Sequence, residues 1–247
     1  EEKKLEVMIV RKSDGNLLYA SKDLPLALLK IKEYPSLTHC YILTDNRQNL
    51  YFKQLAAILG MMGVKQVFGN IGYGLVTLPE GAMSSRKGNV ITYQWLHDTV
   101  IEEARKEIVA RHPDWSEGKV THSAWAIGMA AMKFAVLRQD ADKTLVFDIK
   151  EAIAFEGATG PYCQYSIMRL SSIIRKAEKA GHTLVTNGPL STDFPHASEK
   201  HLALQLANFP RLVELATRDK RPSVMAQWCF ETAQAVNEFY RDVPIMD

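Results

Sequence analysis

The spacing of apolar residues changes character along this chain, and that change limits the folds open to it. Up to about residue 122, short runs rich in β-branched residues alternate with helical stretches; beyond it, every apolar pattern has helical spacing. His39–Thr44 (HCYILT) and Lys65–Phe68 are strand candidates, and the strongly apolar segment Leu50–Met62 between them reads as a helix that stops at Gly63. A strand–helix–strand alternation of this length predicts βαβ units on a parallel sheet, here about half of a doubly wound domain. Leu5–Val10 and Leu17–Tyr19 flank the turn Ser13-Asp14-Gly15-Asn16 and read as a hairpin. Ser21 or Asp23 can cap the following helix, whose first turn then holds Pro25 and which stops before Pro35. Gly69–Asn89 reads as a loop, or a loop around a short hairpin.

Later segments are helical. Tyr93–Arg111 is amphipathic, and Pro113–Thr121 reads as a connection before a helix over Ser123–Leu137. Asp148 can cap Ile149–Phe155, and Pro161 can open a helix reaching Ala180. Residues 181–198 read as a linker; Glu199–Asp219, bent at Pro210, and Ser223–Arg241 complete a bundle. The expected division is residues 1–122, an α/β half, and 123–247, an all-α domain.

Composition excludes several classes. Hydrophobic residues make up 47% and charged residues 23% of the 247, which rules out disorder and fibrous repeats. Three scattered cysteines, Cys40, Cys163 and Cys229, offer neither a disulfide framework nor a paired metal site, and fit a reduced cytosolic compartment. The charged start Glu1–Lys4 is unlike a signal peptide, and the apolar stretch Trp125–Leu137 is interrupted by Lys133 and short for a membrane span. A net charge of +2 permits a polyanionic partner without requiring one. The seven histidines lack metal spacing, so no metal ligand is assigned.

Ala82-Met83-Ser84-Ser85-Arg86-Lys87-Gly88-Asn89 sets two cations beside two hydroxyls after a Gly-rich run. It is either a solvated turn or a polyphosphate cradle that stabilises charge as pyrophosphate leaves. The segment resembles the signature loop of class I aminoacyl-tRNA synthetases, in the form used by arginyl-tRNA synthetases. Aligned on Met83 and Ser84, Ala82 and Ser85 stand at the two lysine positions of the general pattern Lys-Met-Ser-Lys-Ser, and Arg86 stands at its final serine. The resemblance implies ATP binding by Met83, Ser84, Ser85, Arg86 and Lys87. Leu18-Tyr19-Ala20-Ser21-Lys22-Asp23 is similar to the family segment in which a Tyr and an Asp contact arginine, which places Tyr19 and Asp23 in the substrate site. A carboxylate suits a guanidinium fork and disfavours lysine; on the residues alone, Asp23 reads as a helix cap and Tyr19 as a hairpin residue.

Asp45-Asn46-Arg47-Gln48-Asn49-Leu50-Tyr51-Phe52 resembles a further arginyl element, with Gln48 on the guanidinium and Tyr51 where His is common. Asn70-Ile71-Gly72-Tyr73-Gly74-Leu75-Val76 looks like the nucleotide-side strand and loop, with Asn70 for a frequent His; Gly72, Gly74 and Val76 are assigned to ATP. Phe155–Tyr165 resembles the opening of the helical domain, with Ala158 for Asn, and Asn237-Glu238-Phe239-Tyr240 followed by Val243-Pro244 looks like its closing part.

The implied fold is the C-terminal half of a Rossmann-like class I catalytic domain followed by a helical anticodon-binding bundle. The implied activity is activation of arginine with ATP and Mg²⁺ and its transfer to tRNA(Arg), in the cytoplasm and without a membrane. Arg169, Lys176, Trp228 and Tyr240 are the candidate RNA contacts, by phosphate pairing and base stacking. No His-x-Gly-His element occurs, so the chain is expected to be a fragment of a longer enzyme, inactive alone, and monomeric when whole. Two alternatives stay open: a non-catalytic tRNA-binding paralogue, given Tyr51, Asn70, Ala82 and Ala158, and a generic nucleotide-binding α/β protein.

Overall fold

Parallel pairing of two seven-residue strands organises the first part of the chain. The computed structural model describes residues 5–79, 92–182 and 193–245. It resolves into two compact units. One holds the chain up to Leu75 together with Ala141–Thr144, the other Val76–Asp140 and Leu145–Asp247.

In the first unit, helix α1 (Ala20–Glu33) leads to strand β1 (His39–Asp45), helix α2 (Asn49–Met61) and strand β2 (Val67–Tyr73). β1 and β2 pair in parallel from His39↔Val67 to Asp45↔Tyr73. This is the βαβ unit read from the apolar pattern. The second strand, however, runs on through Gly69–Tyr73, which the glycines mark as loop. Seven paired rungs of ladder outweigh the low strand propensity of glycine. Ala27, Phe52, Leu55 and Leu59 form the buried core, with Leu24, Ile42, Tyr51 and Phe68 packed on it.

Two local expectations fail here. The hairpin contracts to one antiparallel bridge, Arg11↔Leu17. Its turn forms as expected, with Gly15 at φ +87°, but Val7 and Ile9 stay exposed while Met8 between them packs on the core. Neither Ser21 nor Asp23 caps α1. Ser21 Oγ donates instead to the Leu18 carbonyl, and the Tyr19 carbonyl accepts from the Lys22 and Asp23 N–H groups. The helix therefore starts earlier, and Pro25 falls inside it rather than in its first turn.

In the second unit, the short strands β3 (Val76–Thr77) and β4 (Leu145–Val146) pair in parallel. Between them lie α3 (Tyr93–Arg111) and α4 (Glu117–Leu137); α5 (Ile149–Ala152), α6 (Gly160–Lys179), α7 (Ala197–Ala207), α8 (Phe209–Asp219) and α9 (Pro222–Asp242) follow. Thr92 caps α3, and Asp148 caps α5 by accepting from the Glu151 N–H. α4 begins before Gly118, because Val120 and Ala124 bury against Ile108 and override the glycine. By length and composition α4 qualifies as a membrane-crossing helix. Here its Val120, Ala124, Gly128, Ala131 and Met132 are buried, and it packs against α3 and α6. The bend expected at Pro210 is a break: α7 ends at Ala207, and Pro210 sits in the first turn of α8.

The corner before α6 is built as its sequence suggests. Gly157 turns with φ +79°. Thr159 accepts from the Tyr162 N–H and donates to the Ala154 carbonyl. A Cβ on Gly160 would lie 2.3 Å from the Ala130 carbonyl oxygen, so α6 approaches α4 only because that position has no side chain.

Candidate active site

The C-terminal ends of β1 and β2 carry a cluster of amides. Open parallel sheets bind ligands at this end of their strands. Asn70 Nδ2, on β2, donates to Asn49 Oδ1 at 2.6 Å and to Thr44 Oγ1 at 3.3 Å. Asn49 Nδ2 reaches Asn46 Oδ1 at 3.4 Å, and Asn46 Nδ2 donates to the Asp142 carbonyl at 2.8 Å. The cluster closes over Gly72, where a Cβ would stand 2.4 Å from both Asn46 Oδ1 and Asn49 Oδ1. Gly74 is held as closely. Its N–H donates to the Ala141 carbonyl at 2.7 Å, and a Cβ there would meet the Lys143 carbonyl oxygen at 2.3 Å. Gly74 is thus required by backbone contacts within this unit, whereas the neighbours of Gly72 are side-chain amide ends.

Asp45 ends β1 and receives the Arg47 N–H together with the Arg47 guanidinium fork, at 2.8 and 2.9 Å. That hydrogen bonding holds the Asp45 carboxyl down to about 2. The turn Asn46–Gln48 leads into α2 with Gln48 at its N-cap, exposed.

Asp23 is half-buried on α1. Its Oδ2 accepts a hydrogen bond from the Tyr51 hydroxyl. Burial first, and the Asp23 carboxylate second, push the Tyr51 phenol above its ordinary range. Since Tyr51 lies one helical turn beyond Gln48, this bond brings the Asp23 carboxylate to the first turn of α2. Tyr19, at the N-cap of α1, is 81% exposed. Val76 lies in the other unit, on β3. Met83, Ser84, Ser85, Arg86 and Lys87, with Ala82, lie outside the described residues.

In the helical part, Arg169 and Tyr240 come together. The Arg169 guanidinium lies 4.5 Å from the Tyr240 ring centroid and 5.3 Å from that of Tyr165, and it donates to Asn237 Oδ1 at 2.9 Å. Asn237 Nδ2 in turn donates to Tyr162 Oη and Ser166 Oγ. Trp228 donates its indole N–H to the Gln205 carbonyl and packs on Phe209, so it holds α9 against the preceding helices. Lys176 is exposed in the last turn of α6. A cleft of about 920 Å³ opens beside Arg169 and is lined also by Arg111, Trp115, Phe155 and Tyr165.

Residue-type reasoning missed the amides of Asn46 and Asn49, and the role of Asn237. Each falls within a motif, but Asn46 also pairs with Asp142, Asn49 with Asn70, and Asn237 with Tyr162 and Ser166, all distant along the chain.

The family tRNA synthetases class I (R), catalytic domain, matches residues 2–149. The chain belongs to that family. A second match, to the DALR anticodon binding domain, covers residues 163–247. The class I synthetase fold is also shown by solved structures. The arginyl-tRNA synthetase of Thermus thermophilus superposes with a TM-score of 0.78 at 24% identity, over 96% of this chain and 43% of that one. The Plasmodium falciparum enzyme gives 0.79 at 18% identity, over 100% of this chain and 42% of that one.

Among curated class I synthetases, the arginine–tRNA ligase of Bdellovibrio bacteriovorus is 34% identical over 99% of this chain. That of Treponema denticola is 34% identical over 98%. The chain spans 42% of the length of each. A C-terminal fragment of such a synthetase, joining a catalytic region to an anticodon-binding helical domain, fits these matches.

Proposed function

We propose that the whole protein is an arginine–tRNA ligase and that this chain supplies its arginine-recognition wall and its anticodon-binding bundle. The observation that carries this reading is the Asp23 carboxylate tied to the first turn of α2, where Gln48 is the N-cap. A carboxylate so placed suits a forked cation, with the exposed Gln48 amide and Tyr19 phenol as neighbouring polar groups. In the proposed reaction, the arginine carboxylate attacks the α-phosphate of ATP and pyrophosphate leaves. A terminal ribose hydroxyl of tRNA(Arg) then takes the arginyl group from the adenylate. The chain's part is positioning and charge stabilisation.

Gly72 and Gly74 offer backbone to the nucleotide, Val76 and Met83 are assigned to ATP with them, and Ser84, Ser85, Arg86 and Lys87 act on its phosphates. Magnesium arrives on the ATP phosphates as part of the substrate. The described residues hold no group of three His, Cys, Asp or Glu suited to a resident ion. For tRNA we assign Lys176 to phosphate, Arg169 and Tyr240 as a stacked pair, and Trp228 as their support. The setting is cytoplasmic translation, and the whole enzyme is monomeric.

The test is aminoacylation of tRNA(Arg) by the full-length protein with each amino acid in turn. Arginine alone should be charged, and Asp23→Ala should raise the arginine KM by roughly 100-fold, the cost of removing a carboxylate from a paired cation. Equal charging of another amino acid, or an unchanged arginine KM in the variant, refutes the reading. A non-catalytic tRNA-binding protein is the second reading, favoured by Tyr51 already occupying one Asp23 oxygen and by Asn70 engaged with Asn49. Binding of tRNA(Arg) without arginine-dependent pyrophosphate exchange would select it.

A further inference from the structure

A carboxylate that must clasp a guanidinium works best when it is already aimed. Asp23 projects from α1, and nothing on α1 fixes its torsion. The partner that does is Tyr51 on α2, whose hydroxyl donates to Oδ2. Tyr51 is a rigid anchor for that purpose. Its ring meets Phe52 edge-on with centroids 5.1 Å apart, and it packs against the buried core of the first unit. Its phenol stays protonated at any physiological pH, since burial and the carboxylate both raise it. Among the described residues, no hydrogen bond is made to Oδ1 of Asp23.

We propose that Tyr51 is a positioning residue for arginine: it holds one oxygen of the Asp23 carboxylate so that the other, Oδ1, faces the substrate guanidinium. This rests on the arginine reading above and deepens it. Tyr51 then acts through Asp23. Removing its hydroxyl frees the carboxylate to rotate, and the lost order appears as weaker arginine binding. The tie also limits Asp23 to one fully open oxygen, so the second guanidinium N–H must find another acceptor, for which Gln48 one turn earlier is placed.

The test uses the full-length enzyme and separates arginine from ATP. Tyr51→Phe should raise the arginine KM about tenfold, the effect of one lost charge-assisted hydrogen bond. The kcat and the ATP KM should stay within about twofold. Tyr51→His, which returns a ring N–H donor to the same position, should recover most of the arginine affinity. On an Asp23→Ala background, Tyr51→Phe should add nothing, because the two residues act as one. If Asp23→Ala raises the arginine KM but Tyr51→Phe does not, or if their effects add, this inference falls and the arginine site stands. If Asp23→Ala leaves the arginine KM unchanged, the arginine site itself falls. A Tyr51→Phe defect shared equally by arginine and ATP, with no recovery in Tyr51→His, would mark a structural role and overturn the proposal.

Discussion

The two compact units use their motif residues in opposite ways. In the first, the residues singled out by resemblance or adjacent to them gather at the strand ends into a polar layer. Asn46, Asn49 and Asn70 bond one another, and Tyr51 bonds Asp23, in a unit whose core is built on Ala27, Phe52, Leu55 and Leu59. In the second, the residues singled out for RNA mostly hold helices together. Arg169 joins α6 to Asn237 and Tyr240 of α9, and Trp228 joins α9 to Gln205 and Phe209. The motifs in the first unit therefore mark a polar cluster at the strand ends, whereas those in the second mark largely helix packing. Substitutions should separate the two, with activity lost in one and stability in the other.

The sharpest break is expected at Gly160. An alanine there must push against the Ala130 carbonyl rather than a side chain. Gly160→Ala should cost about 2–4 kcal/mol, read as a fall in Tm of roughly 4–16 °C. Arginine KM in the protein that stays folded should not move. A Tm within about 1 °C of the unaltered protein would show that α4 and α6 can separate freely.

Gly72→Ala is the counterpart in the first unit. The obstacles there are the amide ends of Asn46 and Asn49, which can swing aside. Stability should fall by less than about 1 kcal/mol, while the ATP KM rises about tenfold as the amide cluster is displaced. A Tm loss as large as that of Gly160→Ala, with ATP KM unchanged, would erase the distinction between the units.

Arg169 and Lys176 test it within one helix. Arg169→Ala should lower stability by about 1–2 kcal/mol through the lost Asn237 hydrogen bond and ring contacts. Lys176→Ala should leave Tm in place and reduce the salt slope of tRNA binding by about one. Equal slopes for Lys176→Ala and the unaltered protein would remove Lys176 from the interface.

The smallest effect concerns Asp45. Its carboxyl is held down to about 2 by Arg47, below the ordinary 3.8. The folded state thus keeps the charged form to lower pH than the unfolded chain does. Any stabilisation from the pair is complete above about pH 4 and fades as the pH falls toward 2. Arg47→Ala should move the Asp45 titration, followed by carboxyl carbon NMR, back up toward 3.8, with stability at pH 7 nearly unchanged. A titration still centred near 2 would mean that Arg47 is not the cause.

These contrasts also explain what was legible beforehand. Local signals read correctly: the Tyr93–Arg111 helix, the cap at Asp148 and the start at Pro161 all depend on neighbours a few residues away. Glycine misled twice. At Gly69–Gly72 the parallel ladder prevails over loop propensity, and at Gly118 the burial of Val120 and Ala124 does. Side-chain partners were beyond reach. Asp23 meets Tyr51 from 28 positions away and Arg169 meets Asn237 from 68, and no local pattern encodes such a meeting. Residues 82–89, where the resemblance is most specific, and most of the linker at 181–198 lie outside the described residues.

The four residues Ala141–Thr144 are a distant piece of the first unit. They belong to the first unit although some 65 residues of the second separate them from Leu75, and they supply the carbonyls that receive Asn46 and Gly74. The first unit is therefore not a cassette that evolution or a molecular biologist can lift out with one cut. Severing the chain near residue 122 would strand the amides of the strand-end cluster without their terminal acceptor. An exchange between homologues that joined one parent's early strands to another's later helices would also have to match this distant patch.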